Sequence, residues 1–479
     1  MFMEKTSQAQ THNPQVKAAP IMAALLISGF MGMFSETALN MAINDLIKAF
    51  SISPSTAQWL TTGYLLVLGI VIPVSGLLIK RFPTRKLFVT SLSFSILGVL
   101  VAGISPNFWI LLSGRIIQAI GTGLLLPLLF HTVLIIFPPW KRGTAMGIVG
   151  LVMMFAPATG PISAGLIIEY FNWHMIFWII TPFLIFALVF GIIFLPNLTK
   201  VQKHKIDLLS IILSTVGFGG IVFGFSFAGE SEGWSSPIVI SALITGTVAL
   251  VLYVFRQLSI DEPVLYLKVF RHPMFILGIV ATLFANIIIF SGNILLPLFM
   301  RAGLGLTASA AGLLLLPGGI VNGIMSMVNG RIFDKHGPKA LVIGGFALST
   351  VTVWFFSKVT SSTSPYLIII FFMLLMVSMS MVTTPSQTNG INQLEPELYP
   401  DGTAVVNSMI QTSGAIGTAL AVSILNMTQR SLLAEAANPA DTQVKAEALI
   451  SGVQNAFTFA MIISILGLIT SLFIKRIRV

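Results

Sequence analysis

The sequence predicts an all-α integral membrane protein of fourteen transmembrane helices, arranged as two six-helix halves with an inserted helix pair between them. Three observations predict it: a composition too apolar for a water-covered surface, a series of apolar segments of spanning length, and a basic turn that recurs in each half. Of the 479 residues, 55% are hydrophobic and 9% charged, and the mean hydropathy is +0.94. A soluble domain carries about 25% charged residues, so hydrocarbon rather than water has to cover this chain. It contains no cysteine, which excludes a disulfide framework and thiolate-ligated metal sites.

A spanning helix needs about 20 apolar residues. Segments that meet this run over 21–43, 57–79, 87–104, 109–131, 144–168 and 174–196 in the first half. The inserted pair covers 207–228 and 237–255, and the second half 274–297, 308–329, 340–357, 366–386, 403–426 and 456–474. The even count of spans puts both termini on the same side. No strand-like alternation runs through these segments, which argues against an outer-membrane barrel. The polar first twenty residues lack the basic-then-apolar order of a cleaved signal peptide, so the first span is expected to remain.

Orientation follows from the loop cations. With the N-terminus inside, 20 of the 26 Lys and Arg residues fall in inner segments. Only Lys48, Arg301, Lys358, Arg430 and Lys445 fall outside, and Arg115 lies within a span. The net charge of +10 is therefore a topology signal, and a nucleic-acid partner is not expected. The recurring turn is "GLLIKRFPTRK" (76–86) after the second span and "GRIFDKHGPK" (330–339) after the tenth. In this register Gly76 meets Gly330 and Arg81 meets Lys335. The expected units are residues 1–200, an inserted linker 201–265 and residues 266–479; repeated halves around a cavity are the usual build of secondary transporters.

Polar residues inside the spans are the candidate functional groups, because each is costly there. Glu36, in "MFSETALNMA", reads as the one acid deep in a span, and Arg115 as the one base. A charge at the bilayer centre costs about 2.5–3.5 kcal/mol on insertion scales. Protonating an ordinary glutamate at pH 7 costs about 3.7 kcal/mol, so the charged and neutral forms of Glu36 are close in free energy. A Glu36 that only hydrogen-bonds a neighbouring span, and an Arg115 held by backbone carbonyls, stay open as structural readings. The amides Asn40, Gln118, Asn286, Asn293, Asn407 and Gln411 are candidates for lining a cavity, as is Tyr64 for stacking on a substrate. Trp59 reads as an interface anchor, and His131 and His174 as structural, with no partner at metal-ligand spacing. In "APATGPISAG" (156–165), Pro157 and Pro161 each remove a helix hydrogen bond. Gly160 and Gly165 allow a facing helix to approach. The expectation is a bent, tightly packed contact between the two halves.

Several of these stretches carry a family resemblance. "GLLIKRFPTRK" resembles the loop signature G-x-L-x-D-R-x-G-R-R of the major facilitator superfamily. "LLSGRIIQAIGTG" (111–123) resembles its fourth-span signature R-x-x-Q-G-x-G, and "APATGPISAG" its fifth-span antiporter signature. "ETALNMAI", "QWLTTGYLL" and "MIQTSGAIGTAL" are similar to first-, second- and thirteenth-span signatures of the fourteen-span drug:proton antiporter branch. The resemblance extends to lincomycin-resistance efflux pumps of Gram-positive bacteria. It implies a latch between the halves at the signature loops, involving Gly76, Arg81 and Asp334, and a proton-transfer role for Arg115. Two departures stand out. Lys80 and Pro83 replace the loop's Asp and Gly, and the branch's first-span Asp falls on Ser35, one residue or about 100° of helix before Glu36.

The resemblance implies a proton-coupled multidrug antiporter that exports hydrophobic or amphiphilic drugs by alternating access, with proton coupling at Glu36 and Arg115. It would act in a bacterial cell membrane as a monomer, with both termini cytoplasmic; its partners would be small-molecule drugs, protons and the bilayer. A lipid or metabolite exporter on the same scaffold is the alternative. The short loops and the lack of a nucleophile–base or metal constellation argue against an enzyme. No cofactor is expected, and without a G-x-x-x-x-G-K-[ST] phosphate loop the proton gradient is the expected energy source.

Overall fold

The structure is a computed structural model that describes residues 17–198, 207–228, 233–436 and 441–477. The inner-side cations Lys5, Lys200, Lys203, Lys205 and Arg478 lie outside the described residues. Among the described residues, fourteen helices are long and apolar enough to cross a membrane. In chain order they are α1 (Ala18–Phe50), α2 (Pro54–Arg81), α3 (Thr84–Gly103), α4 (Phe108–Ile136), α5 (Arg142–Tyr170) and α6 (His174–Phe194), then α7 (Leu208–Ala228) and α8 (Pro237–Ser259). The remaining six are α9 (Pro273–Leu298), α10 (Ala308–His336), α11 (Lys339–Phe356), α12 (Pro365–Asn392), α13 (Tyr399–Glu435) and α14 (Thr442–Ser471).

Local sequence sets many of the helix starts. Asn107, Thr307 and Asp441 accept backbone N–H bonds from Ile110, Ala310 and Gln443, while Pro237, Pro273 and Pro365 occupy first turns, where a missing N–H costs nothing. Several helices outrun their apolar segments. α14 begins at Thr442 rather than near 456 because "TQVKAEALISGVQN" is rich in strong helix formers but too polar to register as membrane-spanning. The start of α13 is likewise polar, and this matters for function below.

One hydrophobic core unites α1–α6 and another α9–α14. The two bundles meet through α5 against α10 and α2 against α13. Both contacts rest on small residues. A Cβ on Gly330 would run into the Gly143 carbonyl, one on Gly147 would lie 2.6 Å from the Ser326 carbonyl oxygen, and one on Gly76 3.2 Å from the Pro400 carbonyl oxygen. The expectation for the fifth-span glycines needs correcting here. Gly160 packs against Phe34, Thr37 and Ala38 of α1 and Gly165 against Met41, within the N-terminal bundle. The contact with α10 is made instead by Gly143, Gly147, Gly150, Leu151 and Ala158. Gly143, Gly147, Gly150 and Ala158 recur at helical spacing along one face, and Gly160 lies two residues past Ala158, about 200° around the helix. α5 continues unbroken through Pro157 and Pro161.

α7 lies over the α2–α13 seam, and α8 packs on the outer side of α7. Gly69 and Ile70 of α2 meet Val222 and Gly219 of α7. Trp59, expected at the membrane interface, lays its ring against Phe223 and Phe227 of α7, with centroids 6.0 and 5.7 Å away.

Candidate functional site: a buried polar centre and two inter-bundle latches

The buried centre is assembled by α1, α2 and α4. Gly32 allows α1 to approach Thr122 of α4 so closely that a Cβ there would lie 2.8 Å from the threonine methyl. Three residues along α1, Ser35 is fully buried and faces Arg115. Arg115 Nη1 donates to the Ser35 carbonyl (3.2 Å), to Ser35 Oγ (3.1 Å) and to Gln118 Oε1 (2.8 Å); Gln118 Nε2 donates to Ser35 Oγ at 2.9 Å. The guanidinium lies 4.1 Å from the centroid of the Tyr64 ring. The Tyr64 hydroxyl donates to Thr122 Oγ1 (3.0 Å) and the Gly32 carbonyl (3.3 Å). A buried cation is tolerated when acceptors and an aromatic face replace water, and this shell supplies both.

Glu36 sits beside this shell rather than in it. The residue is half-buried, and its Oε2 is shielded without a hydrogen-bond partner among the described residues. Arg115 Nε and Nη2 are likewise without partners. Among the described residues no ion pair within 4.0 Å joins the two, yet their charges are within electrostatic reach of each other. Acid and base thus each retain hydrogen-bonding capacity. One turn further along α1, the exposed Asn40 accepts a bond from Thr61 at 2.8 Å.

Sequence reasoning placed Tyr64 against substrate; the structure instead buries it completely as the floor under Arg115. Gln118 belongs to the same shell. Asn286 and Asn407 are buried and donate to carbonyls of their own helices, Thr282 and Thr403, at 2.8 Å each. Asn293 is exposed and Gln411 half-buried. The structure therefore does not gather the amides into one lining. Ser35 was not singled out as a site residue, although the family register had pointed to its position.

Two latches join the bundles at the end that carries the basic loops. In one, Asp334 of α10 caps α5: its Oδ1 accepts from Gly143 N (2.8 Å), and its Oδ2 from Thr144 N (2.8 Å) and Thr144 Oγ1 (2.6 Å). Beside it, buried Arg142 donates to Asn392 Oδ1 (3.0 Å) and the Tyr399 hydroxyl (2.9 Å). In the other latch, Lys80 of α2 forms an ion pair with Asp401 of α13. Lys80 is 7% exposed and Asp401 fully buried. Glu36 is therefore not the only acid buried within a helix. Asp401 escaped notice because it precedes the apolar run of its span. The latches correspond in position but differ in charge: the signature-turn residue is an acid, Asp334, facing neutral donors in one, and a cation, Lys80, facing an acid in the other. Thr144 and Asp401 are each the third residue of their helix, and the acid comes from α10 in one latch but from α13 itself in the other. Gly76 closes in on Pro400 and Ala404 beside this pair, and Arg81 is half-buried at the end of α2.

The family model of the Major Facilitator Superfamily matches residues 25–418. The chain is 57% identical over 480 residues to the lincomycin resistance protein LmrB of Bacillus subtilis, covering all of both chains. It is 53% identical to the protein of that name from Listeria monocytogenes, over 98% of this chain and 100% of the relative. Among solved structures, the human organic anion transporter MFSD10 matches with a TM-score of 0.64 at 14% identity, over 95% of this chain and all of that one. This last likeness concerns the fold alone.

Proposed function

The chain belongs to the Major Facilitator Superfamily, and from that membership we propose that it exports hydrophobic or amphiphilic drugs, lincosamide-type antibiotics and lipophilic cations among them, in exchange for protons. The observation that carries the drug-export reading is the end-to-end identity of 57% to a lincomycin resistance protein. Proton coupling rests on Glu36, an acid with an unused buried oxygen beside a buried arginine with unused donors.

In this reading residues 1–200 and 266–479 are the moving halves and 201–265 the inserted pair. Both termini are cytoplasmic, because the latched end carries the basic loops, and the arrangement described is the one closed to the cytoplasm. Opening inward parts Lys80 from Asp401 and Asp334 from the start of α5. Drug then enters from the cytoplasm or inner leaflet and displaces a proton from Glu36, directly or by drawing Arg115 toward the carboxylate. A proton arriving from outside restores the neutral acid and expels the drug. The protein acts as a monomer in the bacterial cell membrane.

The test is proton release from vesicles carrying the purified protein when a lincosamide or a lipophilic cation is added, compared with Glu36→Gln. Release that disappears in the variant supports antiport through Glu36. Release that persists leaves Glu36 structural. No release from wild-type protein that still binds drug overturns the antiporter reading.

A further inference from the structure

The inserted helices carry none of the centre described above, yet a continuous set of polar contacts runs from their base to the buried Lys80–Asp401 pair. Arg256 of α8 grips Asp207, just ahead of α7, through two bonds of 2.6 and 2.8 Å. Ser210 donates to the same carboxylate at 2.5 Å and accepts from Gln257 Nε2 at 2.6 Å. Gln257 Oε1 then accepts the backbone N–H of Leu265 at 3.2 Å, which fixes the strand of chain leaving α8. The next residue, Tyr266, donates its N–H to Asp401 Oδ1 at 3.0 Å, and its ring lies 4.3 Å from the Lys80 ammonium. At the opposite end of the hairpin, Trp234 Nε1 donates to Ser423 of α13 at 2.5 Å.

We infer that the α7–α8 pair is a clasp on the α2–α13 seam, with Gln257 and Tyr266 as positioning residues that hold the Lys80–Asp401 pair together and set how often the cytoplasmic side opens. The inference rests on the alternating-access reading but assigns a role to helices that reading leaves idle. Its physical basis is that two buried charges separate only when water or protein replaces what each loses. Tyr266 supplies a donor to one charge and an aromatic face to the other while the seam is shut. Both contacts come from a segment whose Leu265 is bonded to Gln257 of α8 and buried among Tyr253 of α8 and residues of α9 and α13, so loosening the bond to α8 removes one of the supports of the closed side.

The absence of cysteine makes the test direct. Spin labels on Lys86→Cys and Lys339→Cys, exposed positions on the two bundles at the latched end, report the separation of that end in vesicles. Gln257→Leu and Tyr266→Ala are expected to raise the population of the longer distance about two- to tenfold each, the range of one hydrogen bond's net contribution. Trp234→Phe removes a single exposed-side bond and is expected to act more weakly in the same direction; it carries the test if the other two do not fold. An unchanged distance distribution in every folded variant overturns the clasp. If wild type shows one distance under all pH and drug conditions, alternating transport fails, while opening or no opening in the variants still decides the clasp.

Discussion

At the residue scale the arrangement around Arg115 explains why a cation can be kept in the membrane interior. Its guanidinium uses one nitrogen on three acceptors and its plane on a tyrosine ring, and both depend on a flat group of fixed geometry. Arg115→Lys preserves the charge but offers a compact ammonium that cannot serve the same acceptors and also stack. Drug export normalised to protein level is expected to fall about tenfold or more, with thermal stability in detergent changed far less. Glu36 was legible in the sequence as an acid where none should be, and Arg115 as a base by the same logic. That they would stand side by side without pairing was not legible. One residue of helix phase decides it, and phase depends on how closely Gly32 lets α1 approach α4. Tyr64 misled for a related reason: an aromatic residue in a span looks the same whether it faces a ligand or supports a neighbour.

At the element scale, glycine positions divide α5 between two tasks. One face, Gly143 to Ala158, meets α10 nearly backbone to backbone, and the face holding Gly160 seats α1. Gly330→Ala is expected to hold the latched end apart, since the added methyl meets a carbonyl that cannot swing aside; labels on the two bundles would report the longer distance. Gly160→Ala presses on the Thr37 side chain within one bundle, costs about 1–3 kcal/mol of stability as overpacking, and leaves the label distance unchanged. The spans themselves were readable because hydrocarbon thickness imposes a length that hydropathy reports. The ends were not, because α13 and α14 extend through polar sequence that hydropathy does not register, α14 from a start capped by Asp441. Asp401 fell into that gap, which is why the second latch was missed while Asp334, inside a recognisable loop, was found.

At the scale of the whole molecule, the inserted pair ties its own base together through a surface ion pair whose pH response has a definite sign. The hydrogen bond from Arg256 holds the Asp207 carboxyl well below the usual carboxylate range. A carboxyl lowered by folding contributes stability above its unfolded value, near 3.9, and loses it as pH falls toward the folded one. The difference in melting temperature between wild type and Asp207→Asn is therefore expected to be constant from pH 8 to 5 and to shrink below about pH 4. The two latches place a further demand on the molecule. Lys80→Asp and Asp401→Lys are each expected to abolish export, because like charges then face each other in a buried seam. The double exchange is expected to recover part of it, the remainder being lost with the acceptor for the Tyr266 N–H; drug efflux from cells measures both. The Lys80–Asp401 pair also limits heredity. A first half recombined from a relative that carries the family's aspartate in its signature loop would set that acid against Asp401, so the two halves of this chain are not independently exchangeable.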